Sequence, residues 1–242
     1  MRKIVALAFI FCAACVSPAL AADGAKKVVV ELFTSQGCAA CPQADAFLGE
    51  LAQRHDVLPL SLHVTYWDYV GWQDPFAQTA FTERQQAYAK ALGERTVYTP
   101  QLVVAGTDHV IGSEREAVRA LIDKASATGD LFPPLVLDRK ADMLRVTLGP
   151  AAEPQPARAD VMLVAYSQRK ETVIDRGENR GRTIVNTNVV RNLTQLGQWE
   201  GAETSFRVNL EDVAADADAV AVFIQRASLG PVLGAVVLDL AR

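Results

Sequence analysis

Residues 28–42 read Val28-Val29-Val30-Glu31-Leu32-Phe33-Thr34-Ser35-Gln36-Gly37-Cys38-Ala39-Ala40-Cys41-Pro42. Apart from Glu31, the first six residues show no alternation of polar and apolar side chains, the pattern of a strand buried on both faces. The polar run Thr34 to Gly37 ends it in a loop. Beyond the cysteines, Ala46, Phe47, Leu48, Leu51 and Ala52 recur at helical spacing. The order is strand, loop, Cys-x-x-Cys, helix, and the rest of the chain can be read outward from it.

Downstream, Val57 to Val64 reads as a second strand, separated from the first by enough chain for a helical crossover between parallel neighbours. An aromatic, turn-rich segment from Tyr66 to Phe76 follows, then a helix over 78–92 stopped by Gly93. Gln101 to Ala105 and His109 to Gly112 flank Gly106-Thr107-Asp108 as a hairpin. Glu114 to Ala127 is an amphipathic helix with Ser113 and Glu116 as a capping box. The first half reads β-α-β-α-β-β-α.

After Gly129 the helical spacing disappears. Leu135–Asp138, Met143–Leu148, Val161–Gln168, Thr183–Val190, Ser205–Asn209, Val220–Gln225 and Val232–Leu238 are short strand-like runs divided by Pro, Gly or charged turns, which predicts an antiparallel β-sandwich. Half of the 242 residues are hydrophobic, enough for two cores. The expected division is residues 22–129 and residues 130–242, after a leader at 1–21.

That leader is Met1-Arg2-Lys3, an uncharged apolar run to Val16 and the small-residue end Ser17-Pro18-Ala19-Leu20-Ala21, the composition of a secretory signal peptide cut after Ala21. Its apolar run is shorter than a membrane span, so no stable membrane insertion is expected. Lipid attachment at Cys15 is the alternative, although Cys12-Ala13-Ala14 lacks the usual leucine of such a site. Cleavage removes Arg2 and Lys3, taking 24 basic side chains to 22 against 28 acidic, a formal charge of −6. This balance gives no footprint for nucleic acid. Cleavage also removes Cys12 and Cys15, leaving Cys38 and Cys41 as the cysteine pair of a periplasmic or secreted protein.

A thiolate is the reactive form of cysteine, and the field at a helix N-terminus stabilises it. Cys38 is expected at that position as the attacking thiol. Cys41, one turn inward, is the resolving thiol of a redox-active disulfide, the alternative being a structural disulfide or inert thiols. Val28 to Pro42 with the distant Thr99-Pro100 resembles the active-site strand, Cys-x-x-Cys helix and cis-proline loop of the thioredoxin superfamily. The resemblance covers roughly residues 26–127 and implies that Thr99 and Pro100 face the cysteines and hold an extended substrate segment.

A closer resemblance spans the mature chain. Glu31 to Cys38, Tyr66-Trp67-Asp68-Tyr69-Val70-Gly71-Trp72, Tyr98-Thr99-Pro100-Gln101 and Gly177-Glu178-Asn179-Arg180-Gly181 are similar to an uncharacterised family of secreted proteobacterial proteins with a thioredoxin-like N-terminal and a β-rich C-terminal domain. The fold class expected is therefore α/β, thioredoxin-like, followed by an antiparallel β-sandwich. Two departures stand out. Ala39-Ala40 carries no group that sets a potential, and Tyr66 to Tyr98 is longer than a minimal thioredoxin needs.

Glu31 is a carboxylate in an apolar strand, where a charge needs compensation. By the thioredoxin resemblance it is the buried acid that relays a proton to Cys41; the alternative is a structural pair with a lysine or arginine. Tyr66, Trp67 and Trp72 are candidates for a substrate groove at a strand end, or for core filling. Cys38, Cys41 and His63 form an alternative copper or zinc set. Arg169, Lys170, Arg176, Arg180, Arg182 and Arg191 surround a glycine-flanked turn, either a solvated hairpin or an acidic-partner site. The reading is a secreted thiol-disulfide oxidoreductase acting without a cofactor on thiols and disulfides of exported proteins, together with a redox partner. A non-catalytic binding module and copper delivery are the competing functions.

Overall fold

The computed structural model describes residues 23–128, 132–152 and 158–240. The expected leader at 1–21 lies outside the described residues, as does the expected domain junction at 129–130. In chain order the elements begin with β1 (Asp23–Thr34), α1 (Pro42–Leu51), β2 (Val57–His63), a 3-10 turn (Thr65–Val70) and α2 (Thr79–Leu92). Then come β3 (Gln101–Val104), β4 (Asp108–Ile111), α3 (Arg115–Ala127), β5 (Leu135–Lys140) and β6 (Met143–Leu148). The chain finishes with β7 (Ala159–Val173), β8 (Thr183–Trp199), β9 (Thr204–Asn209), α4 (Leu210–Val213), β10 (Ala219–Arg226) and β11 (Val232–Asp239). Among the described residues no helix is long and apolar enough to cross a membrane.

The elements lie close to where the sequence puts them, but their assembly corrects the expected fold class. The molecule is mostly β. β11, β10, β7, β8, β2 and β1 run side by side, and β1 pairs back onto β11, so six strands close into a mixed barrel with β3 and β4 extending from β1. A thioredoxin-like α/β unit followed by a separate sandwich is not what forms. β1 makes the closure: Asp23 and Lys27 pair antiparallel with Val237 and Ala235 of β11. From Val28 onward it lies between parallel β2, through Thr34↔His63, and antiparallel β3.

Burial explains the long apolar runs. Side chains from all six barrel strands meet in one core, among them Val29 and Phe33 of β1, Leu58, Leu60 and Leu62 of β2, Val164 of β7, Val190 of β8, Phe223 of β10 and Ala235 of β11. Alternate β10 residues Ala219 and Ala221 keep that narrow interior fillable. On the outside, β7, β10 and β11 carry a second core against the three-stranded sheet β5-β6-β9. α1 and α3 cover Val28, Val30 and Leu32 of β1. Walls covered on both sides have no polar face to expose, and β2 is buried throughout.

β7 and β8 exceed the barrel. β10 pairs with β7 only over Ala159–Tyr166, and β2 meets β8 at Ser61↔Val189. Beyond these points, among the described residues, Arg169–Val173 and Thr183–Thr187 have only each other as strand partners. This two-stranded arm carries the 174–182 turn toward α1.

Candidate functional site

β1 ends at Thr34, and the loop after it turns twice: the Cys38 N–H donates to the Ser35 carbonyl (3.1 Å) and the Cys41 N–H to the Cys38 carbonyl (3.3 Å). Cys38 and Cys41 are joined by a disulfide, with their Cα atoms 5.4 Å apart. Pro42 lacks an N–H and fits the first helical position, so α1 starts there and Cys41 is its N-cap. The helix start therefore falls on Cys41, where the sequence reading put Cys38. Both cysteines are buried, whereas Ala39 and Ala40 are exposed.

Two distant segments hold this loop. From the 174–182 turn, Asn179 Nδ2 donates to the carbonyls of Gln36 and Cys38, each at 2.9 Å. Gly177 has φ +74°, and a Cβ there would stand 3.2 Å from both Trp72 Cβ and the Val70 carbonyl, so only glycine permits the approach. Gln36 itself is fully engaged: its side-chain amide donates to Thr172 Oγ1 (3.1 Å) and Asn186 Oδ1 (2.9 Å) on the arm, and its Oε1 accepts from Trp72 Nε1 (3.1 Å). The Gln36 N–H donates to Asp74 Oδ2 at 2.8 Å.

Three buried titratable groups lie behind the loop. His63 Nδ1 is 2.7 Å from Asp74 Oδ2. Burial works to raise the Asp74 pKa, but His63 and the N–H donors of Gln36 and Phe76 together hold it below the ordinary carboxyl value. Asp45, one helical turn past Cys41, donates its N–H to the Cys41 carbonyl (3.0 Å) and accepts Thr34 Oγ1 at Oδ1 (2.9 Å). Among the described residues its Oδ2 has no hydrogen-bond partner, nor has His63 Nε2. Burial pushes the Asp45 carboxyl up to about 7, against the lowering influence of His63 and Thr34. A carboxyl that exchanges its proton near neutrality thus sits on the cysteine helix.

Glu31 is placed elsewhere. Its carboxylate takes Arg84 Nε at 2.6 Å and Nη2 at 3.1 Å, plus the Tyr88 hydroxyl at 2.5 Å. Gln225 of β10 joins through Arg84 and Tyr88. Burial opposes the Arg84 charge, yet Glu31 and Tyr88 raise its pKa above the ordinary value. This is the arginine-paired alternative, and the buried carboxyl shifted toward neutrality is Asp45, which the helical pattern alone leaves looking like an ordinary first-turn acid.

Thr99 and Trp67 are brought together, the indole N–H donating to Thr99 Oγ1 at 2.7 Å, and the Thr99-Pro100 bond is cis. Pro100 is buried, and its carbonyl accepts the Gly112 N–H (2.9 Å). Tyr66 donates to Gln85 (3.1 Å), away from the loop partners of Trp72. His63 is committed to Asp74 and both thiols to each other; among the described residues no three His, Cys, Asp or Glu side chains converge as a metal set. The basic residues around Gly177–Gly181 are largely solvated: Arg169 pairs with Glu171 and Arg176 with Asp175, while Arg191 lies 5.4 Å from the Phe76 ring centre. The helix before Ala127 starts at Arg115 with Glu114 as N-cap and no side-chain cap bond, in place of the expected Ser113 box.

A closed mixed barrel with a Cys-x-x-Cys disulfide beside its rim arm defines a structural class. The chain belongs to the family described as protein of unknown function (DUF1223), which matches residues 29–225. It is similar to the crystal structure of protein AGR_C_4864 from Agrobacterium tumefaciens, with TM-score 0.78 and 32% identity over 90% of this chain and 96% of that one. HBP35 of Porphyromonas gingivalis, 17% identical, shares the fold with TM-score 0.62 over 90% of this chain and 76% of that one. No curated protein matches the sequence. Membership in this family replaces the thioredoxin-like assignment and brings no oxidoreductase activity with it.

Proposed function

We propose that the chain is exported by its N-terminal leader and carries out thiol–disulfide exchange with exported proteins through Cys38 and Cys41. The observation that carries this is the disulfide at the start of α1 with Asp45, poised near pKa 7, one turn away. As a staple the bond does little: a ring of so few residues removes only about 2 kcal/mol of chain entropy, against nearly 5 for a long loop. Both cysteines are also already fixed between β1 and α1.

A partner thiolate attacks Cys38 Sγ, the Cys38–Cys41 bond breaks, and its electron pair leaves on Cys41 Sγ. The dipole at the N-terminus of α1 favours that leaving thiolate, and Asp45 supplies its proton. A second partner thiolate then attacks the partner sulfur of the mixed disulfide and releases Cys38. The partner is oxidised by two electrons and the pair reduced by two; the same steps reversed reduce a partner disulfide, and the external couple sets the direction. Cys41→Ala is expected to accumulate mixed disulfides with exported proteins, and Cys38→Ser to abolish exchange with glutathione and with insulin. A wild-type protein with no Cys38-dependent exchange in either direction refutes this and leaves a binding module.

A further inference from the structure

We propose that Arg191 and Lys170 form a binding site for a small monocarboxylate, in the cavity between the base of the arm and the loop that precedes β10. The site lies outside the disulfide loop and does not depend on the exchange reaction. The cavity measures about 460 Å³ and is lined by Phe76, Lys170, Arg191, Asp216, Asp218 and the small residues beside the two acids.

An irregularity in β8 puts Arg191 there. Ala165 and Tyr166 of β7 stand opposite Asn192 and Val190, so Arg191 is an extra residue in the ladder. A bulge of this kind re-aims one side chain out of the alternation of its strand, which is why bulges recur beside functional sites. Gln78 Nε2 holds the bulge by donating to the Arg191 carbonyl (3.1 Å). The guanidinium carbon lies 5.4 Å from the centre of the Phe76 ring. That wall is fixed in turn: the Phe76 N–H donates to Asp74 Oδ1 (2.9 Å), and the ring meets His63 edge-on with centroids 5.4 Å apart.

What this arrangement leaves unmatched is charge. Arg191 Nε and Nη1 are buried and, among the described residues, have no hydrogen-bond acceptor. Nη2 is not enclosed with them, so it is the nitrogen that a molecule in the cavity can reach. The other enclosed guanidinium of the barrel is compensated, Arg84 Nε lying 2.6 Å from Glu31. Neither Arg191 nor Lys170 forms an ion pair among the described residues. A cation withdrawn from water without an anion is costly, and an oxyanion bound by Arg191 and Lys170 offsets that cost through charge-assisted hydrogen bonds.

Asp216 and Asp218 set the charge of the ligand. Both are exposed, so solvent screens them, and Asp218 Oδ2 already accepts the Gln168 N–H (2.9 Å). They leave Arg191 uncompensated, yet they line the same cavity and repel a second negative charge placed in it. A single carboxylate satisfies the two cations without meeting that repulsion twice. A dianion such as sulfate does not.

The test measures saturation transfer by proton NMR from the oxidised full-length protein to propionate at neutral pH, with chloride holding the ionic strength constant and sulfate added as a competitor. A saturable signal is expected. Arg191→Met keeps a stem over Phe76 and removes the charge, and should weaken propionate binding at least about tenfold. Lys170→Met should weaken it at least about threefold, whereas Lys124→Met, which removes a cation paired with Asp108 outside this cavity, leaves it unchanged. Sulfate should compete at least about tenfold less well than unlabelled acetate, and Asp216→Asn/Asp218→Asn should narrow that gap. Absence of a saturable signal overturns the proposal, as does wild-type affinity in Arg191→Met with its melting transition intact. If that variant does not fold, wild-type affinity in Lys170→Met is equally decisive. Sulfate competing as well as acetate overturns the assignment to a monocarboxylate.

Discussion

Asp45→Asn should make the protein less sensitive to pH in a way that the geometry fixes. Asp45 is fully enclosed, its Oδ2 without a partner among the described residues, and its carboxyl is held at about 7 by burial, against 3.8 in an unfolded chain. The folded state thus binds this proton more tightly than the unfolded one. The stabilisation is complete below pH 3.8 and is lost as pH rises through about 7. At about 1.4 kcal/mol per pH unit the full swing is about 4 kcal/mol, of which about 2.5 kcal/mol falls between pH 5 and pH 8. Asparagine keeps the acceptor for Thr34 and cannot ionise. Its new amide donor meets the place where Oδ2 had no partner, a pH-independent cost of about 1–3 kcal/mol. The assay is urea unfolding of the oxidised protein at pH 5, 6, 7 and 8, followed through tryptophan fluorescence. Relative to wild type, the variant should gain about 2.5 kcal/mol on going from pH 5 to pH 8, the other titrating groups cancelling in the difference. A difference that stays flat over this range refutes the assignment of a neutral-range pKa to Asp45, and with it the proton exchange beside Cys41.

Arg84→Met leaves the Glu31 carboxylate buried without its cation and is expected to cost about 3–5 kcal/mol; unfolding curves should show most of that loss recovered in Glu31→Gln/Arg84→Met, which removes the charge as well. Asn179→Ala removes both donors to the Gln36 and Cys38 carbonyls, at a cost of about 1–3 kcal/mol. Reduction of the variant by dithiothreitol, followed by thiol alkylation, should be faster than in wild type because the turn over the disulfide is freed; an unchanged rate would show that the turn does not restrict access.

Local pattern carried further than assembly. The runs at 28–33, 57–64, 143–148 and 232–238 became strands within a few residues, because β-branched apolar runs and their turns are local properties. What the pattern could not fix was which strands become neighbours. The signal against a sandwich was nevertheless present in Ala219-Val220-Ala221-Val222-Phe223-Ile224: a sandwich strand alternates with a polar outer face, whereas this run is apolar throughout and buried throughout. Its inward alanines and outward Val220, Val222 and Ile224 mark a wall between two cores. The site was legible in part. The cysteine pair and the aromatic and Gly177–Gly181 segments were visible as chemistry out of place, but their convergence on Gln36 depends on the arm. Asp45 gave no warning because an acid in the first turn of a helix is ordinarily a solvated one.

The arm also explains why one chain carries both the disulfide loop and the β-rich second half. An isolated two-stranded hairpin is marginal in water, and beyond the barrel Arg169–Val173 and Thr183–Thr187 are such a hairpin. Its inward residues Thr172 and Asn186 accept from Gln36, and Asn179 in its turn donates to the Gln36 and Cys38 carbonyls. Each side supplies what the other lacks: the loop gives the arm a surface to dock on, and the arm gives the buried Gln36 carbonyl a donor and the Cys38 carbonyl a second one. The barrel sets the base of this contact, since β2 lies between β1 and β8 and β1 closes the barrel onto β11.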